Sequence, residues 1–199
     1  MSLNDTYEEY RRKGIFFVVT GPSGVGKTTI MDRVLERDDR LTYSVSHTTR
    51  DKRPGEVSGE DYYFVNREKF EGYRDDGRFL EWAEIYGDYY GTSREEIEKI
   101  KREGRDPFMD IDVQGAEQLR SDNSLDGIFV FLAPPSLEEL ERRIVARGAE
   151  GSEVRETRIQ VAREELSRIP EFDYLIVNKE LKKAVDSLEA VIRAERLKV

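Results

Sequence analysis

Gly21-Pro22-Ser23-Gly24-Val25-Gly26-Lys27-Thr28 is the stretch that decides the fold. The apolar run Ile15-Phe16-Phe17-Val18-Val19-Thr20 precedes it, and Ile30, Met31, Val34 and Leu35 fall at helical spacing behind it. A strand, a turn carrying Gly-x4-Gly-Lys-Thr, and a helix form the setting that a phosphate-binding loop requires. In such a loop successive backbone N–H groups curl around an anion, and the helix N-terminus adds partial positive charge. Gly21, Gly24 and Gly26 permit backbone angles and a close approach that a side chain would obstruct. Lys27 can reach β- and γ-phosphates, and the Thr28 hydroxyl can ligate Mg2+. The loop by itself names no second substrate.

Working outward, the 199 residues suit one compact domain with an inserted subdomain or lid. Charged residues make up 38% but are mixed in sign, the ordinary mark of solvated helix faces. The net charge of -9 argues against a general nucleic-acid or membrane-surface binder, which needs a basic face. It leaves room for arginines focused in a nucleotide cleft. Without cysteine there is no disulfide, thiolate catalysis or cysteine–zinc site, and one histidine, His47, cannot build a metal cluster. No run approaches about 18 apolar residues, so neither a signal peptide nor a membrane span is expected, and the cytoplasm is the default compartment. Residues 1–13 are polar and charged and read as a mobile or helical extension.

Beyond the loop helix the pattern changes. From Leu41 to Tyr90 the chain is rich in Ser, Thr, Tyr, Arg and Gly. Strand-like runs at Tyr43–Ser46, Tyr62–Val65 and Phe79–Tyr86 and a helical piece at Arg67–Asp75 suggest a small α+β insertion. A helix follows from Arg94 to about Glu103, with Gly104 as its stop. Pro107–Val113 reads as a buried strand ending in acids, with a helix from Gln114. Gly127–Leu132 is another buried strand, broken by Pro134-Pro135, and Ser136-Leu137-Glu138-Glu139 opens a helix as a capping box. Helical patterns over about 136–147 and 153–168, a strand at Tyr174–Val177 and a helix over 180–197 complete the chain. The β-α alternation outside the insertion indicates a parallel sheet wrapped by helices.

The stretch Ser44 to Phe64 carries a second signal. Arg50 and Arg53 lie among hydroxyls, with Tyr62 downstream. Guanidiniums and phenols together can clamp a phosphate, although a solvated basic loop is the usual fate of Arg-x-x-Arg. Phe79-Leu80-Glu81-Trp82-Ala83 puts a carboxylate inside an otherwise apolar strand. Asp110 and Asp112 alternate along a strand, hence share a face, and either can stand near Mg2+.

Taken together these segments resemble guanylate kinase, a nucleoside monophosphate kinase family. The resemblance spans about residues 14–180. It rests on the loop and on Ser-Val-Ser-His-Thr-Thr-Arg (44–50), Arg-Pro-Gly-Glu-Val-x-Gly-x-Asp-Tyr (53–62) and Phe-Leu-Glu-Trp-Ala (79–83). Tyr-Tyr-Gly-Thr (89–92), Asp-Ile-Asp-Val-Gln-Gly (110–115), Pro-Pro-Ser-Leu-Glu-Glu-Leu-Glu-Arg-Arg (134–143), Arg-Gly (147–148) and Asp-Tyr-x-Ile-Val-Asn (173–178) extend it. It implies a P-loop NTPase-like α/β fold with an inserted α+β GMP-binding subdomain at 44–92 and a helical lid at 136–168. The core would comprise 14–43, 93–135 and 169–199. It also implies transfer of the γ-phosphoryl group of MgATP to GMP or dGMP, in purine nucleotide metabolism, with no nucleic-acid or membrane partner.

The resemblance also assigns residues. Gly21 to Thr28 (including Pro22, Ser23 and Val25), Thr29 and Asn178 would serve ATP, although Lys179 stands where the family often has an acid. Arg50, Arg53, Tyr62 and Tyr90 would hold the GMP phosphate, and Ser46, Glu81, Thr92 and Asp112 would contact guanine, with Glu56 an acid near the acceptor. Asp110 would sit toward the Mg2+–water shell. Guanine chemistry agrees. Its N1–H and N2–H2 donors suit a buried carboxylate such as Glu81, and its O6 acceptor suits a hydroxyl from Ser46 or Thr92. Adenine offers an acceptor at N1 and nothing at C2. Such a site can discriminate by ~10⁴ because the wrong base strands buried polar groups.

Arg143 and Arg147 are four apart and share a helical face, and Arg158 lies in the next helix. The resemblance brings these three over the transferring phosphates as a lid closes, beside Lys27 and Arg50 as the catalytic set. Glu139, Glu141, Arg142 and Glu164 show that the same helices are charged throughout, so spacing alone does not single the arginines out. Trp82, Phe64 and Phe79 are expected in the core and His47 in a structural role. The alternatives are an inactive guanylate-kinase-like module for protein partners, and a kinase of similar fold for a ribose bisphosphate-type substrate. The intact Lys27, Thr28, Arg50, Arg53, Glu81 and Asp112 argue against the first, and Glu81 with Ser46 against the second.

Overall fold

The computed structural model describes residues 14–85, 87–121, 126–146 and 152–198. Strand β1 (Phe16–Thr20) is buried along its whole length, as a continuous apolar run in the middle of a parallel sheet should be. Helix α1 (Lys27–Leu35) follows the glycine loop. Strands β2 (Leu41–Tyr43), β7 (Asp106–Asp110), β8 (Gly127–Ala133) and β9 (Tyr174–Val177) join β1 in the order β2-β7-β1-β8-β9. All four pairings are parallel. The chain leaves β1 and returns on both sides of it. That is the switch point where α/β sheets open a crevice beyond the strand C-termini.

Alternate residues of β1 serve opposite faces. Ile15, Phe17 and Val19 pack with Ile30, Met31 and Val34 of α1 and with Ala184, Val185, Leu188 and Ile192 of the last helix, α7 (Leu181–Arg196). Phe16 and Val18 pack with Ile97 of α3 (Arg94–Arg102) and with Ala116 and Leu119 of α4 (Val113–Ser121). Each fully buried Phe, Ile or Leu contributes about 2 kcal/mol.

A second, mixed sheet holds β3 (His47–Thr48), β4 (Tyr63–Phe64), β5 (Phe79–Ile85) and β6 (Asp88–Ser93) in the order β4-β3-β6-β5. Helix α2 (Arg67–Asp75), capped by Asn66 accepting from the Lys69 N–H at 2.9 Å, covers it through a separate cluster of Phe70, Phe79 and Tyr89. Helices α5 (Leu137–Ala146) and α6 (Ser152–Ser167) pair through Leu140, Ile144 and Ala162. The Ser136 hydroxyl accepts from the Glu139 N–H at 3.2 Å, the first half of the expected capping box. A short turn of 3-10 helix (Ile169–Glu171) leads into β9.

Three expectations are corrected. The run expected at Tyr43–Ser46 divides. Leu41–Tyr43 is the outer strand of the main sheet, paired with Asp106–Phe108, and the second sheet begins only at His47. The strand expected over Pro107–Val113 ends at Asp110, because Asp112 caps α4, accepting from the Gly115 N–H at 2.7 Å. Trp82 is 37% exposed, not core, and the Arg74 guanidinium lies 5.3 Å from its ring centre. No described helix is long and apolar enough to cross a membrane.

Candidate active site

The glycine loop turns where β1 ends against β8. A side chain at Gly21 (φ 144°) would place its Cβ 2.1 Å from the Leu132 carbonyl oxygen. One at Gly26 (φ 100°) would meet the Asn178 amide at 2.8 Å. The Asn178 amide nitrogen donates to the Val25 carbonyl at 2.7 Å and so holds the loop from the far side. Arg143 donates to the carbonyls of Val25 and Asn178 at 3.3 and 3.2 Å and to Glu139 at 2.9 Å, tying α5 to the back of the loop. Lys27 donates to the Gly21 carbonyl at 2.6 Å, folded across the mouth of the loop that α1 leaves open for an anion.

A cavity of about 600 Å³ joins this loop to the second sheet. Gly21, Ser23, Gly24, Gly26, Lys27 and Thr28 line one side of it, and Ser46, Arg53, Tyr62, Glu81 and Tyr90 the other. Asp110 and Asp112 lie between them. Asp110 reaches this position because Val19 of β1 pairs with it, one residue before the strand ends at Thr20. Asp112 follows as the helix cap. The two acids thus meet the cavity from a strand end and a helix start, not from one strand face.

Glu81 is 6% exposed and accepts from the Thr92 hydroxyl at 2.5 Å, across a β5–β6 pair that puts the two residues opposite each other. Burial pushes its carboxyl up to about 7, against the Thr92 hydrogen bond and with help from the Asp112 charge. A Cβ on Gly115 would lie 2.9 Å from Glu81 Oε2, so any side chain there would have to displace the Glu81 carboxylate. Arg50 donates to both oxygens of Glu56 at 2.7 and 3.1 Å and to the Asp51 carbonyl, and its guanidinium lies 5.5 Å from the Tyr62 ring centre. The Arg53 N–H also donates to Glu56 at 2.7 Å. These bonds hold the Glu56 carboxyl below the usual range, the Arg50 bond first. Tyr62 and Tyr90 rings stand edge to face at 5.9 Å, and burial followed by the Asp110 charge raises the Tyr62 phenol.

Arg158 lines an adjoining cavity of about 860 Å³ that shares Ser23, Asp112 and Glu165 with the first. Arg147 lies outside the described residues, so the shared face of Arg143 and Arg147 rests on spacing alone. Thr28 and Thr29 are exposed and Pro22 is buried. His47 packs among Tyr63, Tyr73 and Phe79, with ring centres 4.9 to 5.7 Å away. Burial lowers it to about 4, which keeps it neutral near pH 7 and fits the structural role expected of it.

Three residues of the site were assigned no role from the sequence, although Gly115 closes the 110–115 motif. Tyr43 donates to Asp110 at 2.9 Å, and Gly115 makes room for Glu81. Glu165 enters both cavities from α6, its carboxyl raised by burial and held back by the Lys27 charge. The seven-residue spacing from Arg158 to Glu165, two helical turns, was the available clue to the last of them.

The donors suit Mg2+. Thr28, Asp110 and Asp112 offer hard oxygens, and no described cluster of three or more acidic, histidine or cysteine side chains could cage a metal alone. Mg2+ ordinarily takes one or two protein oxygens, keeps several waters and rides on nucleotide phosphates.

A family model described as guanylate kinase matches residues 13–195. A guanylate kinase of Oceanobacillus iheyensis is 45% identical over 94% of this chain and 91% of its own length. One of Aromatoleum aromaticum is 47% identical over 93% and 90%. The crystal structure of guanylate kinase from Anaplasma phagocytophilum superposes with a TM-score of 0.77 at 34% identity, covering 95% of this chain and 90% of that one. With the loop, the buried carboxylate and the arginine-bearing subdomain in one cleft, and the family model matching over nearly the full length, the chain belongs to the guanylate kinase family.

Proposed function

We propose that this chain is an active ATP:GMP phosphotransferase, converting MgATP and GMP or dGMP to ADP and GDP or dGDP. The observation that carries the reading is Glu81, a buried carboxylate bonded to Thr92 in the cavity that also holds Lys27 and Thr28. A buried acid without a cationic partner at hand is costly, and guanine supplies the donors it lacks. Glu81 accepts from guanine N1–H and N2–H2, Ser46 and Thr92 serve the base with their hydroxyls, and Asp112 closes its edge. Arg50, Arg53, Tyr62 and Tyr90 hold the acceptor phosphate, which displaces Glu56 as the anion facing Arg50.

A GMP phosphate oxygen attacks the γ-phosphorus, and the bond to the β-phosphate oxygen breaks. No base is needed, since the attacking oxygen is already deprotonated. Lys27 leaves the Gly21 carbonyl to meet the β- and γ-phosphates, while the loop N–H groups from Gly21 to Thr29 cradle them. Arg158 and Arg147 complete the charge neutralisation as the lid closes and excludes water. Arg143 joins them from its tie to the Val25 and Asn178 carbonyls behind the loop, and Asn178 serves the adenine side. Thr28 and, through water, Asp110 would hold Mg2+, which would supply neutralisation of the phosphate charge. Residues 44–92 form the acceptor subdomain, 136–168 the lid, and 14–43, 93–135 and 169–199 the core. The reaction belongs to purine nucleotide recycling in the cytoplasm.

A coupled ADP-release assay tests the reading. Turnover should require GMP or dGMP, and Lys27→Met should lower kcat by roughly 10²–10³. ATP turnover independent of GMP, or none with it, would refute the proposal.

A further inference from the structure

We propose that Tyr43 is a positioning residue that holds the Asp110 carboxylate in the orientation that receives the hydrated divalent cation of the nucleotide. This rests on the proposed role of Asp110 and names a residue that makes that role work. Tyr43 is the last residue of β2, and the parallel register pairs it with Phe108, two residues short of Asp110 on β7. Its ring packs against the main core while its hydroxyl reaches the cavity and donates to Asp110 Oδ1 at 2.9 Å. An aromatic with a polar tip suits this place, with an apolar body in the core and a hydroxyl at the wet edge.

The bond is directional. A phenol is a donor at neutral pH and an ionised carboxylate can only accept, so the pair has one arrangement. A strand-end carboxylate otherwise turns about its last torsion, which is broad and shallow. Engaging Oδ1 fixes the plane of the group and leaves Oδ2 as the oxygen to meet the water shell of a cation. The same bond draws charge from the carboxylate and so favours an outer contact over direct ligation. Supporting bonds of this kind tune metal affinity as much as the ligands themselves do.

Tyr43→Phe removes only the hydroxyl and keeps the ring in the core. ATP affinity would be measured by titration calorimetry, first with EDTA and then at stepped free Mg2+. Affinity without Mg2+ should match the parent, while the Mg2+ concentration for half-maximal enhancement should rise roughly three- to tenfold. Asp110→Asn should shift the same quantity, and adding Tyr43→Phe to it should shift it no further. Equal losses with and without Mg2+ would mean that Tyr43 is merely structural, and an additive double variant would mean that it acts elsewhere. Either result overturns the inference. If Asp110→Asn moves the Mg2+ dependence and Tyr43→Phe does not, the inference fails alone. If Asp110→Asn moves nothing, the Asp110 assignment fails with it.

Discussion

Glu81 holds two opposed demands in one carboxyl group. Burial raises it to about 7, so near neutrality the empty site is shared between protonated and ionised forms. Guanine's two donors need the ionised form. On the proposed reading, GMP binding therefore releases a proton below pH 7, and GMP affinity falls as the pH drops. Calorimetry in buffers of different ionisation heat measures that release directly. Stability moves with its own sign. The folded-state value lies above the ordinary 4.5, so the linkage contribution is fully present below about pH 4.5 and is lost as pH rises through about 7. Glu81→Gln should flatten this loss, melt higher than the parent above pH 7, and raise the KM for GMP roughly ten- to a hundredfold with the KM for ATP unchanged. An unchanged GMP KM would remove Glu81 from the guanine site.

At the scale of elements, the last helix is locked to the main sheet by buried charge. Arg196 donates to Asp106 at 2.7 Å and to Asp38 at 2.6 and 3.2 Å, and the Asp106 side chain is fully buried and also accepts from the Ile15 N–H at 2.9 Å. Removing Arg196 leaves the buried Asp106 carboxylate with only the Ile15 N–H and the Arg40 guanidinium 3.7 Å away. Arg196→Leu should cost about 3 kcal/mol, read as a lower denaturation midpoint, while the KM values for both nucleotides hold. None of this was legible in the sequence, because the three residues lie far apart along the chain. What was legible follows the same logic in reverse. Arg67–Asp75 and Tyr174–Val177 match to the residue, since local periodicity and flanking turns set them. Asp112 was misplaced on a strand face because alternation describes a strand only while the strand lasts, and a helix cap ended this one. Trp82 was expected inside because it stands among apolar neighbours; Leu80 takes the buried place beside α4, and Trp82 stays exposed with the Arg74 guanidinium near its ring. The loop and the arginine segment were readable because their chemistry is written in consecutive residues, whereas Tyr43 and Glu165 reach the cleft by tertiary register.

Among the described residues, apolar clusters answer to three tasks. The large clusters on either face of the parallel sheet hold the phosphate loop, a small one of Phe70, Phe79 and Tyr89 holds the second sheet, and another of Leu140, Ile144 and Ala162 joins α5 to α6. These clusters are joined, Leu80 of β5 packing in the main core and Leu166 of α6 against Val113, Phe131 and Ala133, so on the proposed reading closure over the cleft is a shift of packed elements that admits both nucleotides and then sheds water. The acidic surface, with its net charge of -9, leaves the arginines of that cleft as local exceptions. On the proposed reading the cleft pairs a triphosphate loop with a guanine-reading carboxylate. The measurement that tests it most directly is kcat/KM with MgATP for GMP against AMP, in the parent and in Glu81→Gln. GMP should be favoured by ~10⁴ or more in the parent, and the ratio should fall roughly ten- to a hundredfold in the variant through GMP alone. Comparable turnover of AMP in the parent, or an unchanged ratio in the variant, would overturn the guanine assignment.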